Sequence, residues 1–95
     1  MIQHGQLLAV FNSAHQVMKA EAILKRCGLA ILLIPAPRAL STDCGLAIRY
    51  NGDLYDNVLE NLTREGLLPN FIYRKDSDSH YETVWSAEDG KNSGR

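Results

Sequence analysis

Gln6-Leu7-Leu8-Ala9-Val10-Phe11, followed by Asn12-Ser13, is the stretch on which the fold turns. Six residues with no apolar/polar alternation read as a strand that is apolar on both faces, and Asn12-Ser13 punctuates a turn into a helix. Ser13 with Gln16 three positions on fits a capping box. Val17, Ala20, Leu24 and Cys27 then recur at the spacing of one buried helical face. The spacing predicts a helix over Ser13 to Cys27 with Cys27 pointing into the core, Glu21 and Lys25 paired on the solvent side, and Gly28 in the left-handed position that ends it.

Working outward, Leu29 to Ile34 reads as a second strand and Cys44 to Tyr50 as a third. In the third, Leu46, Ile48 and Tyr50 share one face, and Gly45, Ala47 and Arg49 share the other. Asn51-Gly52 is a turn dipeptide and Asp53 is placed to cap a second helix. Tyr55, Val58, Leu59 and Leu62 supply its apolar stripe before Gly66 stops it. Phe71-Ile72-Tyr73-Arg74 makes a fourth strand. The order is therefore βαββαβ, an α+β ferredoxin-like unit: a four-stranded antiparallel sheet with both helices on one face. Residues 1–75 form the domain and 76–95 an extension. Within it, Tyr81 to Trp85 alternates as an edge strand would, or is a mobile segment whose aromatics meet a partner, and the last ten residues are polar and loose.

Because strand side chains alternate, Leu7 or Leu8, Ile31 or Leu33 and Ile72 cannot all turn toward the helices. One apolar set needs another cover, either a second copy of the chain in a homodimer or the Tyr81 to Trp85 segment. At 95 residues there is room for a single core, and 45% hydrophobic residues, 22% charged residues and a net charge of −1 describe an ordinary globular protein. Such a charge balance creates no long-range field toward nucleic acid or an anionic membrane. The amino end lacks the basic flank and apolar run of a signal peptide, and Leu29 to Pro35 is too short to span a bilayer, so the expected compartment is the cytosol.

The chemistry-bearing stretch is Ile34-Pro35-Ala36-Pro37-Arg38-Ala39-Leu40-Ser41-Thr42-Asp43-Cys44-Gly45. Pro35 and Pro37 fix φ and bias the preceding residues toward extended geometry, so a stiff loop carries Arg38 toward a cysteine on a glycine hinge. The thiolate is the reactive form of cysteine, and a guanidinium or the N–H groups of Gly45 and Leu46 would favour it. Ser41 and Thr42 either donate to the sulfur or shape the loop, and loop shaping is the simpler role. The bland reading has Cys44 beginning a core strand and Arg38 as a solvated charge. Cys27 and Cys44, 17 positions apart, match neither a CxxC pair nor a zinc spacing, and a reducing compartment argues against a disulfide. His4, His15 and His80 show no ligand spacing, so neither metal nor cofactor is expected. A Cys-His pair using His15 or His80 stays open, because catalytic partners need not be neighbours in sequence.

Three groups of residues carry a resemblance. They are Val10-Phe11 with Ser13 and Ala20-Glu21, Ile34-Pro35 with Pro37-Arg38, and Ser41 with Cys44-Gly45-Leu46-Ala47. In these the chain resembles the selenium/sulfur carrier-like family of small bacterial proteins over about Leu8 to Tyr73, departing from it at Asn12, where a proline is common. The resemblance implies a carrier more than a catalyst. It would hold sulfur or selenium on Cys44 as a persulfide or selenopersulfide, with Arg38, Ser41 and Gly45 around it. It would exchange that atom with a sulfur- or selenium-relay protein such as a desulfurase or a TusA-like protein. Two rival readings remain: a small dimeric regulatory or assembly module in which Cys44 is buried and inert, and a thiol enzyme using Cys44 as nucleophile.

Overall fold

The computed structural model describes residues 5–40, 44–77 and 80–87. The expectations for His4, Ser41, Thr42 and the end of the tail lie outside the described residues. Seven elements follow one another: β1 (Gln6–Val10), α1 (Ala14–Arg26), β2 (Leu32–Pro35), β3 (Leu46–Asn51), α2 (Tyr55–Arg64), β4 (Phe71–Ser77) and β5 (His80–Ser86), with a 3₁₀ turn over Gly52–Leu54 between β3 and α2. The strands form one antiparallel sheet in the order β2-β3-β1-β4-β5.

Among the described residues there are therefore five strands, not four. The extra one is Tyr81 to Trp85 and its flanks: β4 runs on past Arg74 to Ser77, and β5 pairs back on it as a hairpin that closes the edge beside β4. A lone two-stranded hairpin is marginal in water, but this one extends a sheet that already has a packed face.

Both helices lie on one side. Leu7, Ala9, Phe11, Ile48, Tyr50 and Ile72 form a cluster with Val17, Ala20 and Leu24 of α1 and with Val58 and Leu62 of α2. Strand alternation sends Leu8, Val10 and Ala47 to the other side, where Leu40 of the β2–β3 loop packs over them and Ile34, Ala36, Tyr73 and Tyr81 complete a second cluster. Leu8 and Val10 are only 0% and 3% exposed within a single chain. The second apolar set thus has its cover at home, partly from β5 and partly from a loop residue without a sequence-level signal.

Local capping shapes both helices. The Gln16 amide donates to Ser13 Oγ at 3.2 Å, and Lys25 pairs with Glu21 at 3.2 Å. After α1, the Gly28 amide donates to the Lys25 carbonyl and Leu29 to Leu24, with Gly28 at φ +81°. After α2, Gly66 donates to Thr63 and Leu67 to Leu62, with Gly66 at φ +69°. Each is a Schellman closure, in which a left-handed glycine lets the chain turn back and satisfy the last carbonyls. Asp53 does not cap α2. Leu54 occupies that position without a side-chain bond, because the 3₁₀ turn intervenes. Among the described residues no helix is long and apolar enough to cross a membrane.

Candidate functional site

Between β2 and β3 the chain leaves and re-enters the sheet at the same place. Pro35 pairs with Leu46, and the Ala36 amide donates to the Gly45 carbonyl at 2.9 Å, closing the neck of the loop. Proline is tolerated there because β2 is an edge strand with one side free of ladder bonds. Past the neck, the Leu40 amide donates to the Pro37 carbonyl at 3.0 Å, so Pro37-Arg38-Ala39-Leu40 is a tight turn. Leu40, 6% exposed, is the anchor of that turn under the sheet. Sequence reasoning missed it. The one signal was a lone large apolar residue among prolines, alanines and an arginine.

Cys44 sits on the return limb. Gly45 has φ +72° and an added Cβ there would meet nothing within 4 Å, so glycine is needed for backbone reversal and not for space. The hinge turns the chain so that Cys44 packs, partly buried, at the rim of the helix-side cluster. Its Sγ donates to the Leu46 carbonyl at 3.3 Å. That contact suits a protonated thiol, since sulfur that has lost its proton has nothing to donate. Arg38 is exposed on the turn, and no hydrogen bond or ion pair joins it to Cys44 or to any other described residue. Pro35, Arg38, Cys44 and Gly45 are thus gathered on one loop at one end of the sheet, while Ser41 falls outside the described residues.

Cys27 is where the sequence reading fails. It is exposed, not buried, and its Sγ donates to Asn61 Oδ1 at 3.4 Å, an oxygen that also accepts from Arg64 at 3.1 Å. The apolar stripe of α1 is real, but Cys27 is the C-cap residue, one step past the last helical turn, so it leaves the face that buries Leu24. Both cysteines are free thiols. Helix α1 carries Cys27 about 20 Å along its axis from Ser13, which stands near the end of β1 that flanks the Cys44 loop.

His15 and His80 are exposed, and among the described residues no group of three His, Cys, Asp or Glu side chains converges. A cleft of about 390 Å³ lined by Gly5, Leu7, Gly52, Tyr55, Arg74 and Val84 opens at the far end of the sheet from Cys44. It takes no part in the loop.

Comparison with curated proteins and with solved structures found no match. Comparison with protein families matches residues 6–74 to the family described as "Putative Se/S carrier protein-like", a span from β1 into β4 that holds the whole proline-arginine-cysteine loop. By that match, which covers well over half of its length, the chain belongs to the Se/S carrier protein-like family.

Proposed function

We propose that the chain is a carrier that holds sulfur or selenium on Cys44 and passes it to a second protein, on a ferredoxin-like βαββαβ unit extended by β5. The observation that carries the reading is the family match over a loop that places a free, partly buried cysteine on a left-handed glycine hinge. Partial burial shields a loaded sulfur from bulk thiols, and the position at the rim leaves it within reach of a partner's cysteine.

The exchange is redox-neutral. Cys44, having given its proton to solvent, attacks the outer sulfur of a donor persulfide. A new Sγ–S bond forms as the donor's S–S bond breaks, and the donor cysteine leaves as a thiolate that recovers a proton from solvent. Selenium exchanges in the same way. Delivery to the acceptor is the reverse step with a new thiolate attacking the carried atom. Before loading, the Cys44 side chain turns away from the Leu46 carbonyl. Arg38, exposed on the same loop, supplies the positive charge that an incoming persulfide anion meets. Donor and acceptor are relay proteins of the desulfurase or TusA-like kind.

The test is to incubate the protein with a persulfide-loaded cysteine desulfurase, and separately with low-mass polysulfide or a low-mass selenopersulfide whose S–Se bond breaks in the exchange, and to locate the added mass. With the desulfurase as donor, Cys44→Ser abolishes loading, Cys27→Ser leaves it intact, and Arg38→Ala slows it at low salt. No adduct on Cys44 with any donor, or equal loading of Cys27 by the desulfurase, overturns the reading. An inert assembly module is favoured by the engaged, half-covered Cys44 thiol, and it predicts no loading at all.

A further inference from the structure

The helices cover one face of the sheet, and the other face has a distinct chemistry along β4 and β5. Phe71 and Tyr73 stack there with ring centroids 5.7 Å apart and planes at 27°. Lys75 follows them, with Tyr81 beside it on β5. Phe71 remains 40% exposed although it lies in a paired strand. Across the buried Leu8, Arg49 stands on the same face.

Arg49 and Lys75 are the charged side chains that alternation places on this face among the described strand residues. Asp76 sits in the bulge between Lys75 and Ser77 with no partner across the ladder, and Glu82 pairs with Arg74 on the helix side. A chain of net charge −1 therefore presents a cationic, aromatic strip on one sheet face. That strip is not an uncovered core, since Leu40 already seals Leu8 and Val10. A second copy is a poor occupant: a two-fold interface sets the patch against itself and brings cation to cation, and among the described residues the ladder pairs no carboxylate onto this face.

Its position links it to the loop. Val10 pairs with Phe71 on one side and Ala47 on the other, so the Phe71 end of the strip is two strand spacings, about 10 Å, from the strand that Cys44-Gly45 opens. We propose that Phe71, Tyr73, Lys75 and Tyr81 form the docking surface for a protein segment that bears carboxylates around an apolar side chain, belonging to the partner that exchanges sulfur with Cys44. The partner's role rests on the carrier reading, whereas the docking chemistry rests on the strip. The apolar side chain seats against Phe71 and Tyr73, and the carboxylates meet Lys75 and Arg49.

The experiment titrates the full isotope-labelled chain with a short peptide of glutamates around one central tryptophan, following backbone amide shifts, and measures polysulfide loading of Cys44 in the same variants. Shifts concentrate on β4 and β5. Lys75→Glu and Arg49→Glu each weaken binding about tenfold, and added salt does the same to the wild type. Polysulfide loading is unchanged in both variants, because a small donor needs no docking. Shifts on the helix layer or none at all, tighter occupation of the strip by a single-stranded oligonucleotide, or a mass that doubles with concentration through this face overturns the proposal. If polysulfide fails to load wild-type Cys44 while the peptide still maps to the strip, the carrier reading falls and the docking surface stands.

Discussion

Replacing Tyr50 by phenylalanine should stabilise this protein. Tyr50 is 2% exposed, and its hydroxyl is buried without a hydrogen-bond partner among the described residues. A hydroxyl taken from water and left unsatisfied costs about 1–3 kcal/mol, and deleting it recovers that penalty less the contacts of one oxygen atom. A net gain of about 1 kcal/mol follows, which for a domain of this size raises Tm by about 4–8 °C. Burial, helped by the neighbouring Tyr55, also holds the Tyr50 phenol protonated far above its ordinary value of 10.0. In the unfolded chain the phenol ionises near that ordinary value, while in the folded chain it cannot. The wild type keeps its full stability below about pH 10 and loses stability as pH climbs toward the raised folded value, on the order of 1 kcal/mol by pH 11 from this group. Tyr55 and Tyr73, also shifted upward by burial, act equally in both proteins and cancel. Urea unfolding followed by Trp85 fluorescence should therefore show Tyr50→Phe ahead by about 1 kcal/mol at pH 7 and by about 2 kcal/mol at pH 11. A variant less stable than wild type at pH 7, with an unchanged pH slope, would show that the hydroxyl is satisfied and refute the argument.

Gly52→Ala places a Cβ 2.7 Å from the Gly5 carbonyl oxygen and should cost about 1–3 kcal/mol. Gly45→Ala meets no atom and carries only the strain of its positive φ, about 1–2 kcal/mol; matching urea curves with the reverse order would contradict the packing at the β1–β3 end. In the native protein, iodoacetamide should alkylate exposed Cys27 before partly buried Cys44, with the two rates converging in urea; peptide mapping that finds Cys44 first would reverse the placement of the thiols. Ser13→Ala removes the acceptor for the Gln16 amide and should lower stability by about 1 kcal/mol, whereas Ser13→Asp keeps it; equal losses in both, measured by denaturation, would discount the cap.

Much of the candidate site could be seen in the chain itself. Pro35, Pro37 and Gly45 announce a stiff loop ending in a hinge, and the hinge is left-handed as a glycine at that place suggests. The two closures of that loop could not be seen. The Ala36–Gly45 bond joins residues nine apart, and the seat of Leu40 is made by Leu8, Val10 and Ala47 from two different strands, so neither has a local pattern. The same cause explains β5. Tyr81 to Trp85 alternates as a strand does, but whether an alternating segment pairs depends on an open edge, and that edge exists only once β4 has docked on β1.

What the amino-acid sequence determined alone is what short-range bonds decide: the start of α1 at Ser13 and the ends of both helices at Gly28 and Gly66. Those bonds span at most five residues and form in any tertiary setting that tolerates a helix. Burial belonged to the tertiary structure. Periodicity placed Cys27 on an apolar stripe, yet α1 stops one residue earlier and the thiol faces water; Cys44, on a loop of turn-forming residues, is folded against the core rim by its glycine. A side chain's exposure is set by what lies opposite it, and what lies opposite these two cysteines comes from elements far away in the chain.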